Sequence, residues 1–163
     1  MMIVIGIDPG TTGAIACVDS RGTCAVEDLP VTQLGGQGRT QRKLDGRALA
    51  DLIHRFVPAC DGWQVVLEDV HAMPAAKSGG AANTSLLHSK GVIEGVLGVL
   101  RMEPHLVDSR RWKGFYGLGK DKGQALQKAR TLYPAVQHRL ARQKDHNRAE
   151  ALLLAHYGLR KLA

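Results

Sequence analysis

A single acidic residue, placed where an apolar strand should end, constrains this chain more than any other feature. Residues 3–7 read Ile-Val-Ile-Gly-Ile, a short β-branched run that predicts a strand buried on both faces. Asp8 follows at once, and Pro9-Gly10 then predicts a turn. A carboxylate at the end of a buried strand is costly unless something pairs with it. Asp8 is therefore either the cap of its own turn or part of a charged site.

The order of the other predicted strands indicates a single α/β domain over residues 1–163, not an alternating Rossmann pattern. Residues 13–18 and 22–26 are expected to form an antiparallel meander with the first strand. A fourth strand is predicted at Trp63–Glu68 and a short fifth at Leu106–Val107.

Helices are expected between and after these strands. Asp45 is a candidate N-cap for a helix whose apolar face consists of Leu49, Leu52, Ile53 and Phe56. Further helices are predicted over 84–100, 124–132 and 148–162, and in the first of these Gly91, Gly95 and Gly98 should allow close approach to the sheet. Residues 29–44 are polar, Gly-rich and basic, which predicts a mobile loop, and a small-residue loop is expected at 72–82.

The charge of the chain favours a partner with a phosphate backbone. The formal net charge is +7, and residues 101–163 hold 14 Lys and Arg against 5 Asp and Glu. The cysteines (Cys17, Cys24 and Cys60) are odd in number and without a CxxC pair, which argues against disulfides and structural zinc and favours a cytoplasmic protein with reduced thiols. No run approaches the roughly 20 apolar residues of a membrane span, so no membrane partner is expected.

A second acid, Glu68, ends the predicted fourth strand. Two strands of one sheet that each end in a carboxylate can place the two groups side by side. Like charges at that distance repel unless a cation lies between them. The pair of Asp8 and Glu68 therefore favours a cation site more than either residue does alone.

A polar cluster opens the last predicted helix. His146 and Glu150 are four residues apart and share a helix face, while Asp145 is either an N-cap or a further ligand. An exposed first-turn histidine and a solvated glutamate are the structural alternatives. Three acids and a histidine suit hard cations such as Mg²⁺, for which Mn²⁺ can substitute. Two such ions about 3.5–4 Å apart would clamp the attacking and leaving oxygens of a phosphodiester displacement.

These motifs together resemble the RuvC family of Holliday junction resolvases, in the ribonuclease H-like superfamily. The resemblance rests on Ile5-Gly-Ile-Asp-Pro-Gly10, Val66-Leu-Glu68 and the Asp-His-x-x-Ala-Glu-Ala helix that starts at Asp145, and it covers essentially the whole chain. It looks closest to phage and plastid members. It implies a metal-dependent endonuclease that resolves four-way or branched DNA, a ribonuclease H-like fold with a mixed five-stranded sheet, two Mg²⁺ ions per site and a homodimer that makes paired cuts.

The resemblance also implies roles for individual residues. The metal ligands and catalytic acids fall on Asp8, Glu68, His146 and Glu150, with Asp145 as a rival to His146. Bacterial members carry Asp or His three residues before the last acid, where this chain has Asn147.

Basic residues complete the implied site. Lys122 resembles a residue that stabilises the charge of the transition state. Candidate DNA contacts are Lys113, Lys120, Arg110 and Arg111; the alternative for them is a solvated basic loop. The family uses the loop after the second acid to enter the junction, and here that loop offers His71 and Met73 without an aromatic residue.

Two other functions remain open. The segment Gly6-Ile-Asp-Pro-Gly-Thr-Thr12 is close to the phosphate loop of actin-like ATPases, but those proteins close two such domains over a nucleotide, and 163 residues cannot hold two. The chain would then be an ATPase fragment. The other alternative is a basic domain that binds branched nucleic acid without cutting it.

Overall fold

The computed structural model describes residues 2–35, 41–57, 62–72, 74 and 80–162. The strands are β1 (Ile3–Asp8), β2 (Ala14–Asp19), β3 (Cys24–Asp28), β4 (Val31–Leu34), β5 (Gln41–Leu44), β6 (Trp63–Asp69) and β7 (Pro104–Asp108). The helices are α1 (Gly46–Phe56), α2 (Gly80–Val99), α3 (Ser109–Phe115), α4 (Lys122–Leu132) and α5 (His146–Lys161). Two stretches of 3-10 helix, Pro134–Leu140 and Gln143–Asp145, connect α4 to α5.

Five strands form one mixed sheet in the order β3-β2-β1-β6-β7, which confirms the predicted fold class. β1 pairs with β2 in antiparallel fashion and with β6 in parallel. Ile7 lies opposite Leu67. The next residue of each strand, Asp8 in β1 and Glu68 in β6, therefore lies beside the other. Because side chains alternate between the two faces of a strand, Asp8 and Glu68 lie on the same face of the sheet.

Each face of the sheet carries its own apolar core. Val4 and Val66 contribute to the core beneath α4 and α5, whereas Ile5, Ile7 and Leu67 contribute to the core beneath α1 and α2. β1 is buried along its whole length, as its uninterrupted apolar pattern predicts. The face that holds Asp8 and Glu68 is therefore the one covered by α5.

Two close approaches fix α5 on this face. A Cβ on Gly6 of β1 would lie 2.4 Å from the backbone of Ala151 and of Ala155. A Cβ on Gly158 of α5 would lie 2.5 Å from a methyl of Val66 and 2.8 Å from one of Val4. Only glycine allows the helix and the strands to come this near to each other.

The expectation for residues 29–44 was wrong in part. β4 and β5 form a two-stranded antiparallel hairpin in which Val31 pairs with Leu44, while residues 36–40 lie outside the described part of the chain. The exposed strands carry too few apolar residues to give a strand signal; only Leu44 is buried. The hairpin forms because cross-strand hydrogen bonds satisfy its backbone, which composition does not reveal.

The helix limits also differ from the predicted ones. α1 begins after Asp45, whose side chain accepts a hydrogen bond from the Ala48 amide, as predicted. α2 begins four residues earlier than expected, α5 begins two residues earlier, at His146, and α3 was not predicted.

The predicted role of the α2 glycines was wrong. Cβ atoms on Gly91, Gly95 and Gly98 would meet nothing within 4 Å. These residues face open space rather than the sheet, because the sheet contact of α2 is made by Ile93 and Leu97.

No helix among the described residues is long and apolar enough to cross a membrane. Cys17 and Cys24 are free thiols, and Cys60 lies outside the described residues.

Candidate metal centre

Three carboxylates meet where β1, β6 and α5 converge. Asp8 ends β1, Glu68 lies near the end of β6, and Glu150 lies in the second turn of α5. One oxygen of each falls within 4.8 Å of the others, with Asp8 buried and the two glutamates half-buried. The parallel register places the first two together, and the close packing of α5 on the sheet brings the third over them.

Burial and mutual repulsion disfavour the ionised forms of the carboxylates in this cluster. Burial, followed by the charges of Glu68 and Glu150, raises the pKa of Asp8 well above its ordinary value. Burial also raises the pKa of Glu68, against the lowering effect of a hydrogen bond from Trp112. A bound divalent cation would offset both burial and repulsion, so the donor set fits a hard metal ion with oxygen ligands.

Two residues of α3 support the cluster from one side. The Lys113 ammonium lies 3.1 Å from Glu150 Oε1, so Lys113, expected only as a DNA contact, is part of the acidic cluster. The Trp112 indole N–H donates to Glu68 Oε2 at 3.0 Å, and Trp112 is fully buried. Trp112 was missed in the sequence. Its signal was an indole N–H in an otherwise polar segment, which needs an acceptor once the ring is buried.

Lys122 and His146 form a second polar pair beside the acids. Lys122 Nζ lies 3.0 Å from His146 Nε2, and His146 Nδ1 lies 3.3 Å from the Gln143 carbonyl oxygen. The charges of Lys113 and Lys122 oppose the rise in the pKa of Asp8 but do not cancel it. His146 itself is not a member of the three-residue group that lies within 4.8 Å.

Asp145, the rival to His146, is engaged elsewhere. Its carboxylate accepts hydrogen bonds from the Arg142 backbone amide at 2.8 Å and from Arg142 Nη2 at 2.7 Å. Arg148 Nη1 lies 3.6 Å away. The Arg142 hydrogen bonds and charge hold the pKa of Asp145 below its ordinary value. Asp145 therefore closes the turn that leads into α5 and already has cationic partners.

The remaining candidates are spread over the surface. Arg110 and Arg111 of α3, Lys120 and Lys122 are exposed. The His71 imidazole is 71% exposed, with Nε2 lying 3.2 Å from Asp69 Oδ2. Met73 lies outside the described residues.

A polar groove of about 470 Å³ lies at the start of α5, beside Lys122 and His146, and was not foreseen. Its walls include Thr12, Arg42, Lys122, Arg142, Lys144 and His146. Arg42 lies in β5. The β4–β5 hairpin, which was not predicted, therefore contributes a cationic side chain to the wall of the groove. The groove also contains Asn147, whose side-chain amide donates to the Thr12 carbonyl at 2.6 Å.

Similarity to solved structures decides the fold. The chain is similar to Thermus thermophilus RuvC in complex with a Holliday junction substrate, with a TM-score of 0.60 and 14% identity over 95% of this chain and 91% of that chain. A second structure of Thermus thermophilus RuvC gives a TM-score of 0.53 at 17% identity, over 98% of this chain and 96% of that one. The chain has the RuvC fold.

A curated relative supports the resemblance seen in the sequence. The RuvC-fold chain is 35% identical over 159 residues to the chloroplastic Holliday junction resolvase MOC1 of Chlamydomonas reinhardtii. The alignment covers 86% of this chain but only 18% of that much longer relative. No protein-family profile matches the chain.

Proposed function

We propose that this RuvC-fold chain is a metal-dependent endonuclease that resolves four-way DNA junctions. The observation that carries the proposal is the convergence of Asp8, Glu68 and Glu150 within 4.8 Å at one edge of the sheet. The named activities of the relative and of the structural neighbours support the same substrate.

Asp8, Glu68 and Glu150 would hold the metal, Mg²⁺ or Mn²⁺, with two ions per site. When bound, such ions supply a nucleophilic water at neutral pH and neutralise charge on the phosphodiester. Among the two candidates for a fourth ligand we favour His146. The Asp145 carboxylate accepts hydrogen bonds from Arg142 at 2.7 and 2.8 Å, whereas the 3.0 Å contact of His146 Nε2 is with the end of the long Lys122 side chain.

The lysines would act on the phosphate. The Lys122 ammonium lies at the margin of the cluster and would stabilise the negative charge that develops on the phosphate oxygens. Lys113 would keep Glu150 in place by its 3.1 Å contact. Its ammonium would also interact with a phosphate of the DNA backbone. Trp112 orients Glu68 through its N–H, which leaves the other carboxylate oxygen for the metal.

Exposed cations on both sides of the cluster would carry the DNA. Arg110, Arg111 and Lys120 lie on the α3 side, and Arg42 and Lys144 lie in the polar groove. Contacts of this kind bind phosphates without regard to sequence and weaken as salt rises. His71 and Met73 stay candidates for contacts at the junction centre.

Resolution of a four-way junction needs two cuts, and hence a homodimer. A wholly apolar groove of about 340 Å³ lies between α1 and α2 and includes Val92, Gly95, Val96 and Val99. Val99 is 84% exposed. A second copy of the chain that packs on this face would bury it, and the self-complementary symmetry of a dimer suits a symmetric substrate.

Free cysteines, as expected from the sequence, favour a cytoplasmic setting for the protein.

Cleavage of a synthetic four-way junction tests the proposal. We expect paired nicks in the presence of Mg²⁺ or Mn²⁺, and binding without nicks in EDTA. Asp8→Asn keeps the shape of the side chain but removes a charge from the cluster, and should lower cleavage by roughly 10²–10³-fold or more while junction binding persists. Asp51→Asn, which neutralises an exposed carboxylate on α1, is the matched control and should cleave normally.

Two outcomes would overturn this function. Tight binding of the junction with no cleavage in either metal would leave a non-cleaving DNA-binding domain. Full cleavage by Asp8→Asn would show that the acidic cluster is not the active site.

A further inference from the structure

One hydrogen bond joins the segment that follows Asp8 to the helix that carries Glu150. Asn147 lies in the first turn of α5, and its Nδ2 donates to the Thr12 carbonyl oxygen at 2.6 Å. A longer contact of 3.4 Å reaches Thr12 Oγ1. Thr12 lies in the turn between β1 and β2, four residues after Asp8.

Backbone contacts tie the turn that holds Thr12 to the end of β1. The Gly13 amide donates to the Gly10 carbonyl at 3.1 Å, and the Leu29 amide donates to the Gly13 carbonyl at 3.0 Å. A Cβ on Gly13 would lie 2.1 Å from the backbone oxygen of Asp8. A pull on Thr12 is therefore transmitted to the end of β1, where the Asp8 side chain begins.

The tie acts against a repulsion that the cluster creates. Metal binding requires the carboxylates to be ionised, and ionised groups whose oxygens lie within 4.8 Å repel one another. Two of the three come from β1 and α5, so this repulsion acts between the two elements. Asn147 precedes Glu150 by three residues, close to one helical turn, so both side chains lie on the same side of α5. An amide donor on a backbone carbonyl keeps the two elements at a fixed separation without adding charge.

We propose that Asn147 is a positioning residue, which holds Asp8 and Glu150 at metal-binding distance before the ion binds; this rests on the proposed metal-dependent function. The Asn147 side chain is neutral, and its amide donates to the Thr12 carbonyl. The ligand set of this chain is then assembled partly through a neutral neighbour, an arrangement that sets metal affinity in other sites.

Direct metal binding tests the proposal without catalysis. Titration calorimetry of the full chain with Mn²⁺, in the absence of DNA, gives the dissociation constant. Loss of a partner that positions a ligand typically costs 10–100-fold in metal affinity, so we expect about a 10-fold weaker constant for Asn147→Ala. Thr12→Ala removes only the 3.4 Å contact and should lose much less.

Kinetics separate positioning from a general loss of structure. Cleavage by Asn147→Ala should recover toward the wild-type kcat as Mn²⁺ is raised, with no change in KM for the junction or in junction affinity in EDTA. Asn147→Gln retains the donor and should restore part of the Mn²⁺ affinity. Thr131→Ala removes an exposed hydrogen bond of α4 and controls for the effect of a lost polar contact on stability.

Each failure has a distinct signature. Wild-type Mn²⁺ affinity in Asn147→Ala, with weak binding in Asp8→Asn, would overturn the positioning role and leave the metal site intact. Wild-type affinity in both variants would overturn the metal site itself. A fall in Asn147→Ala affinity matched by Thr131→Ala, or by an equal loss of folded protein in thermal unfolding, would also overturn the positioning role.

Discussion

The two faces of the sheet are covered in opposite ways. On one face, α5 touches the strands so closely that a Cβ at Gly6 or Gly158 would overlap its neighbours. On the other face, α2 contacts the sheet through Ile93 and Leu97, and its glycines face open space. Both helices contain glycine, but only in the first case does glycine serve the packing of this chain.

This difference matches what each helix has to do. α5 supplies Glu150 to a cluster in which the oxygens lie within 4.8 Å, and such a cluster is sensitive to shifts of a fraction of an ångström. α2 supplies no residue to the cluster. Its exposed apolar side chains, Leu87 and Val99, remain available for contact with another molecule. In the proposed function, the closely packed face would position the chemistry and the open face would suit assembly.

Substitution of Gly6 should disrupt the packing of α5 on the sheet. Gly6→Ala places a methyl group 2.4 Å from the backbone of α5, and backbone cannot rotate away as a flexible side chain can. We expect a loss of roughly 3 kcal/mol or more in the free energy of unfolding. Urea denaturation followed by circular dichroism measures it.

The matched substitution on the open face should act with the opposite sign. Gly91→Ala meets nothing within 4 Å and replaces glycine by a better helix former in the interior of α2. It should stabilise the chain by up to about 1 kcal/mol. Equal effects of Gly6→Ala and Gly91→Ala would contradict the contrast between the two faces.

Acid should weaken the packing of α5 by protonating Asp145 and Asp28, two carboxylates that pair with arginines near the start of this helix. Hydrogen bonds from Arg142 lower the pKa of Asp145, and those from Arg148 lower the pKa of Asp28. A carboxyl whose pKa falls on folding stabilises the protein above its ordinary pKa, and this contribution is lost as the pH falls through the folded value. The loss should therefore begin at about pH 4 and continue below it.

Asp145→Asn should remove this pH dependence in part. The variant loses charge-assisted hydrogen bonds, and its unfolding free energy at pH 7 should fall by about 1 kcal/mol. The difference from wild type should shrink in acid, where the wild-type carboxyl is protonated too. Asp51→Asn, on the opposite face, should change neither value, and an unaltered acid limb in Asp145→Asn would argue against the assignment.

A charge on the open face should leave the fold intact and affect assembly. Val99 is 84% exposed in the single chain, so Val99→Glu should unfold at the wild-type denaturant concentration when both proteins are diluted until they are monomeric. Sedimentation velocity should show a shift from dimer to monomer, because a buried unpaired carboxylate opposes association. Gln127→Glu adds the same charge on α4 and should sediment as wild type. A Val99→Glu variant that remains dimeric would place the interface elsewhere.

Sequence reasoning was most successful where local pattern and burial agree. The five strands of the mixed sheet, the Asp45 cap and the apolar face of α1 were confirmed, because an apolar run, a capping residue and a period of 3.6 residues are all local signals. It was least successful for exposed or short elements. β4, β5 and α3 carry few buried residues, so periodicity had little to detect.

For the site, the sequence determined which residues carry charge. Asp8 and Glu68 follow from acids that end buried strands, and the parallel register then requires them to be neighbours. The metal-binding roles of Asp8, Glu68, Glu150 and His146 stay predictions. So do the DNA contacts of Lys113, Lys120, Arg110, Arg111 and His71.

Tertiary structure alone decided how those charges are distributed. Lys113 contacts Glu150, Lys122 contacts His146, and Asp145 contacts Arg142. It also decided that the Trp112 N–H donates to Glu68 and that the Asn147 amide donates to the Thr12 carbonyl. These contacts join residues 44 and 135 positions apart, and no local periodicity encodes such distances. The spacing of apolar residues in a short stretch of sequence is enough to predict which face is buried. The hydrogen-bond partner of a polar atom can be far away in the sequence, so only the tertiary structure identifies it.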